Sequence, residues 1–176
     1  VLKMITFDAA GIWNATGTTS YSRFPMWGET AAAQAITPAT SLGNITLLRA
    51  LARIDVGCAL SGETAAGISG FTLKTVSVYR TKNKGYAAPV NGGTITGNVV
   101  ASVSIPPDAG TNGALTYTCT DGKSLIRTIY VAETPQGSSR DNNVCLVVGG
   151  TYAGSTHYYR VDPVSYTHLR AHETSL

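Results

Sequence analysis

Histidine, cysteine and facing carboxylates supply most acid–base, nucleophilic and metal chemistry, and this chain holds few of them in useful arrangements. Of its three histidines, His157 lies in His157-Tyr158-Tyr159-Arg160, where alternation puts it with Tyr159 on one strand face. No spacing marks a Ser-His-Asp set around it. Cys58, Cys119 and Cys145 contain no C-x-x-C pair, and three cysteines cannot all pair within one chain. One disulfide is open to them, but small buried free thiols are the expectation. A glycosidase needs two carboxylates across a cleft. Glu29, Asp55, Glu133 and Asp162 each stand near basic or turn residues instead, which suits structural pairing. Asp55 is two residues from Arg53 on one strand face, and a surface ion pair is expected there. Asp121-Gly122 and Arg140-Asp141-Asn142-Asn143 read as turns. The second is the only run that offers converging oxygens of the kind calcium takes. Asn14-Ala15-Thr16 and Asn44-Ile45-Thr46 match the glycosylation sequon, a short and common motif. No dinucleotide or phosphate loop, H-E-x-x-H or G-x-S-x-G is present. The expectation is therefore no catalytic residue, no cofactor and no metal.

The elements that would position any site are strands. Only 13% of the 176 residues are charged and 43% are hydrophobic, which excludes a disordered chain. Nine tyrosines, 19 glycines and recurrent threonine suit short strands joined by tight turns. The net charge of +3 is spread over separated residues such as Arg23, Lys74 and Lys84, so no nucleic-acid footprint forms. No run approaches the ~20 apolar residues of a membrane helix.

Residues 1–24 are weakly patterned, and Ala31–Ala35 allows a helical turn or a small-residue strand. Ile45–Leu60 alternates at period two. Leu48, Ala52, Ile54 and Val56 are expected inward, Arg49 and Arg53 outward. Phe71–Arg80 switches its apolar face between Leu73 and Val76, which implies a bulge near Thr75 or burial on both sides. Val99–Ile105, Leu125–Ala132, Val144–Tyr152 and Thr156–Val161 are further strands, the last two forming a hairpin across Ala153-Gly154-Ser155. Pro106-Pro107-Asp108-Ala109-Gly110 resists both helix and ladder and is the candidate domain boundary. After Pro163 the texture changes: residues 164–176 resemble a translated adaptor string and are expected to lie outside the fold. His168 and His172 are then not a metal pair.

Several segments carry a family resemblance. Arg23-Phe24-Pro25-Met26-Trp27-Gly28-Glu29 resembles the "PMWGE" strand of the fimbrillins, the type V pilus subunits of Gram-negative anaerobes. Leu48–Val56, with Arg49, Ala52, Arg53, Ile54 and Asp55, is similar to that family's "R-x-x-ARIDV" strand. Phe71–Tyr79 followed by Ala88-Pro89 resembles the next strand and loop. Ile129–Pro135, with Tyr130, Val131 and Glu133, resembles "YVPET", Ala132 standing where a Pro is common. Cys145–Tyr152 and then Tyr158, Tyr159, Arg160 and Val161 resemble the closing hairpin. The five matches occur in family order from about Phe24 to Asp162.

The resemblance implies an all-β protein of two transthyretin-like β-sandwich domains, 1–105 and a truncated 106–163, followed by the non-native 164–176. It also implies a structural protein rather than an enzyme: an adhesive pilus subunit exported as an outer-membrane lipoprotein and polymerised by donor-strand exchange with other subunits. Host or bacterial surface ligands would be its further partners. A secreted carbohydrate-binding β-sandwich module, with exposed tyrosines such as Tyr158 stacking on sugars, is the alternative from a different class.

Overall fold

The computed structural model describes residues 4–13, 23–30, 35–41, 43–61, 64–89, 95–96, 99–100, 104–163, 168–169 and 174–175. The strands are β1 Thr6–Asp8, β2 Met26–Trp27, β3 Leu48–Arg49, β4 Leu51–Gly57, β5 Leu60–Ser61, β6 Thr64–Ala65, β7 Phe71–Tyr79, β8 Lys84–Tyr86 and β9 Ile95–Thr96. They continue as β10 Val99–Val100, β11 Leu115–Thr118, β12 Ser124–Ala132, β13 Thr134–Pro135, β14 Cys145–Tyr152, β15 Ser155–Val161, β16 His168–Leu169 and β17 Thr174–Ser175. The fold is all-β. A 3-10 turn at Arg140–Asn142 falls where a turn is expected. The run Ala31–Ala35 lies almost wholly outside the described residues, as does the Asn14 sequon.

Two sheets carry the core. One is four-stranded in the order β11-β7-β14-β15, and the other is three-stranded, β12-β4-β17. One apolar cluster draws Ala52, Ile54 and Val56 from β4, Leu73, Val76 and Val78 from β7, Leu115 and Tyr117 from β11, Ile129 and Val131 from β12, and Leu146 from β14. The face switch of β7 is a bulge: Gly149 pairs with Thr75 and Gly150 with Leu73, so Lys74 is the extra residue. That insertion returns Leu73, Val76 and Val78 to one buried face. The β14–β15 hairpin closes through Ala153 (φ 48°) and Gly154 (φ 78°). Two positive-φ residues make the turn whose twist matches antiparallel strands.

Three expectations change. First, Arg53 and Asp55 do not face solvent: they are 9% and 5% exposed. The β12–β4 pair is covered on its second face as well, where Leu51, Tyr130 and Ala132 pack with Ala9 and the partly buried Phe7, Trp13 and Phe24. The weakly patterned N-terminal residues supply that second layer. Second, the connector Pro106–Gly110 does not separate two cores. It makes a turn, Ala109 N–H donating to the Pro106 carbonyl at 2.9 Å. Beyond it β11 and β12 pair with β7 and β4 from before it, so the division into 1–105 and 106–163 gives way to interleaved strands. Third, residues 164–176 contribute two short pairings: Thr134 and Pro135 with Leu169 and His168, and Ile54 and Asp55 with Thr174 and Ser175. The second lies along the edge of β4 opposite β12, where backbone N–H and C=O groups are open to an added strand.

Candidate functional site

Four of the five segments that carry the resemblance contribute residues to one end of β4, the closing hairpin being the exception. Met26 pairs with Arg49 and Trp27 with Leu48, and the Pro25 carbonyl accepts the Ala50 N–H at 2.9 Å. Gly28 packs closely: a Cβ there would lie 2.7 Å from Ile45 Cγ2 and would push that exposed side chain aside. The Trp27 indole N–H donates to Glu29 Oε2 at 3.3 Å. Trp27, Arg49, Tyr86, Ala88 and Glu133 line a cavity of ≈ 20 Å³, room for about one water. Burial pushes the Glu133 carboxyl up to about 7. Trp27, Arg49 and Glu133, distant in sequence, are thus brought together in a space too small for an organic ligand.

Other residues of the resemblance are framework. Ala52, Ile54 and Val131 lie in the main core, with Val131 paired to Ala52. Arg53 and Asp55 form an ion pair at 2.8 Å on the opposite face. Asp55 Oδ1 also accepts the backbone N–H of Arg127 at 2.8 Å. Arg127 (φ 55°) sits in the irregular stretch of β12 between Leu125 and Ile129, so the Asp55 carboxylate anchors that distortion. Tyr130 is paired with Arg53 and meets the Phe24 ring edge-on at 4.8 Å between centroids.

The cysteines are buried free thiols. Burial raises the Cys58 and Cys119 thiols, so both are held away from the reactive thiolate form. The Cys119 S–H donates to Asp121 Oδ1 at 3.0 Å, and the Lys123 and Ser124 N–H groups donate to the same oxygen at 2.7 and 2.9 Å. Those bonds, the thiol's first, hold the Asp121 carboxyl below the usual carboxylate range. Asp141 and Asp162 pair with Arg160, and Asp162 also with Arg140. Exposed His157 stacks loosely on Tyr159 at 6.4 Å between centroids. Among the described residues no group of three metal-ligating side chains converges, and no helix is long and apolar enough to cross a membrane.

An apolar groove of ≈ 240 Å³ lies between the sheets, lined from β4 by Val56 and from β15 by Tyr159 and Val161. Val56 and Cys58 form its floor on one side, and Phe71, Val148, Tyr159 and Val161 its wall on the other. Tyr159 meets Phe71 edge-on at 6.5 Å between centroids, while Tyr158 points to the other face of β15 and is 70% exposed. Sequence reasoning separates the two as well, putting Tyr159 with His157 on one strand face and Tyr158 among the exposed tyrosines. It missed β11, although Leu115 and Tyr117 alternate with Thr116 and Thr118. Comparison with family models, with curated proteins and with solved structures finds no match.

Proposed function

We propose that this chain is a structural subunit of a cell-surface pilus of the fimbrillin type, a β-sandwich that polymerises by accepting a strand from a neighbouring subunit. The observation that carries the reading is the groove beside β4. An open strand edge has unpaired N–H and C=O groups, and an incoming strand satisfies them while its alternate side chains fill apolar space. The β4 edge already takes Thr174–Ser175 as a parallel two-residue strand, so its geometry admits an added strand. Val148, Tyr159 and Val161 offer the apolar wall that such a strand would bury. The transthyretin-like topology, export as an outer-membrane lipoprotein, and adhesion to host or bacterial surfaces belong to the same proposal. They rest on the ordered resemblance of five segments.

Electron microscopy of the product of the full reading frame tests it. Regular fibres are expected, and Val148→Asp, which puts a charge in the groove wall, should abolish them while circular dichroism stays β-rich. Fibres of undiminished length from that variant would overturn the strand-acceptor role. The carbohydrate-binding alternative is favoured by one observation, the exposure of Tyr152 and Tyr158 on the β14–β15 hairpin. Sugar binding lost on Tyr158→Ala with fibres intact would favour it.

A further inference from the structure

A second cavity, of ≈ 510 Å³, lies away from the β4 groove, between the end of β7, the start of the loop after β13, and the 3-10 turn. We propose that it binds a sugar acid, a polyol carrying one carboxylate. Its size falls in the range of ~300–1,000 Å³ usual for small-molecule sites.

The lining sets two cations and several neutral-polar side chains beside an apolar surface that includes Ile105 and Pro135. Arg80, Lys82, Thr111, Gln136, Asn142 and Asn143 face it, with no carboxylate among the lining residues. Nearby acids are engaged by other cations: Asp108 by Lys84, Asp162 by Arg140 and Arg160, Asp141 by Arg160. Among the described residues neither Arg80 nor Lys82 has a carboxylate partner. Two half-buried cations without counter-ions favour an anion, because the charge attraction strengthens where water is partly excluded.

Three details make this a built site. Gln136 lines the cavity with its side chain, whose Nε2 is buried without a hydrogen-bond partner. The Arg80 guanidinium is held in place, its Nη1 donating to the Asn143 carbonyl at 3.3 Å and to Cys145 Sγ at 3.2 Å. Asn143 is itself clamped, accepting the Gly137 N–H at 2.7 Å and donating Nδ2–H to the Gly137 carbonyl at 2.9 Å. Arg80 also adopts φ 64°, uncommon for a bulky residue, and such strain gathers at ligand clamps. The cations suit a carboxylate, and the amides and the Thr111 hydroxyl suit sugar hydroxyls. A bare phosphate or sulfate would leave the amide side of the cavity unfilled.

Isothermal titration calorimetry of the full chain with sodium D-glucuronate, D-glucose and inorganic phosphate tests the proposal. Saturable glucuronate binding is expected, with glucose and phosphate at least ~10-fold weaker, the loss typical when a charge-assisted bond goes unmade. Lys82→Gln and Gln136→Leu should each weaken glucuronate binding ~5- to 10-fold. Lys82 is half-buried rather than a core residue, so Lys82→Gln keeps the fold, and an unchanged thermal transition checks that. No saturable heat with glucuronate, equal affinity for phosphate or glucose, or full affinity in both variants would each overturn the assignment. Because the cavity shares no lining residue with the β4 groove, loss of fibre formation and loss of glucuronate binding are separately readable.

Discussion

Replacing Asp55 by alanine removes a carboxylate that does two things at once. It pairs with Arg53 at 2.8 Å, and it accepts the Arg127 N–H that steadies the irregular part of β12. Were the pair on the surface, as period-two reasoning places it, Asp55→Ala would cost only about 0–1 kcal/mol. The side chains are instead 9% and 7% exposed, beneath a layer that includes Phe24 and Tyr130. Removing one partner of a buried pair leaves the other charge without that counter-ion and costs about 3–5 kcal/mol. For a chain of this size each kcal/mol lowers Tm by about 2–4 °C, so a fall of roughly 10 °C is expected. Asp55→Asn should fall less, because an amide oxygen can still accept from Arg127. The double replacement Arg53→Met with Asp55→Leu should recover only part of the loss, since apolar residues can substitute for a buried pair but take away the acceptor of the Arg127 N–H. Thermal unfolding followed by circular dichroism, with urea titration as a second measure, reads all three. A loss below about 1 kcal/mol for Asp55→Ala would refute the buried two-layer arrangement of β4.

Two further perturbations probe the same framework. Burial raises the Glu133 carboxyl to about 7, above its unfolded value, so the folded state holds the extra proton between those two values. Stability should therefore decline as pH rises from about 4.5 to about 7 and level off above. Glu133→Gln should raise Tm at pH 8, change it little at pH 5, and flatten that slope in a pH series of melts. Gly150→Ala would set a Cβ 2.3 Å from the Phe71 ring and 2.8 Å from the Thr72 carbonyl, beside the bulge. Overpacking of this kind costs about 1–3 kcal/mol, visible as a lower urea midpoint, whereas an unchanged midpoint would mean β7 and β14 are not in this register.

Much of the framework is legible in the amino-acid sequence, because strand signals are local. Period-two alternation, β-branched runs and turn residues mark β4, β7, β12, β14 and β15 to within a few residues, and the break at Thr75 locates the β7 bulge. Burial of the three cysteines is likewise readable from residue type. What alternation cannot report is whether a second layer covers the polar face. Arg49 and Arg53 occupy equivalent positions in the pattern, yet Arg49 stays exposed while the segment around Phe7, Trp13 and Phe24 buries Arg53. That covering is a contact between residues some 30–45 positions apart, and no local signal encodes it. Strand partnership is equally non-local. β4 chooses β12, and β7 chooses β11 and β14, across the Pro106–Gly110 turn that by composition alone looks like a boundary. The two cavities are consequences of those pairings. The sequence shows Arg80, Lys82 and Gln136 as scattered polar residues; only the packing of β7 against the loop after β13 places them around one space.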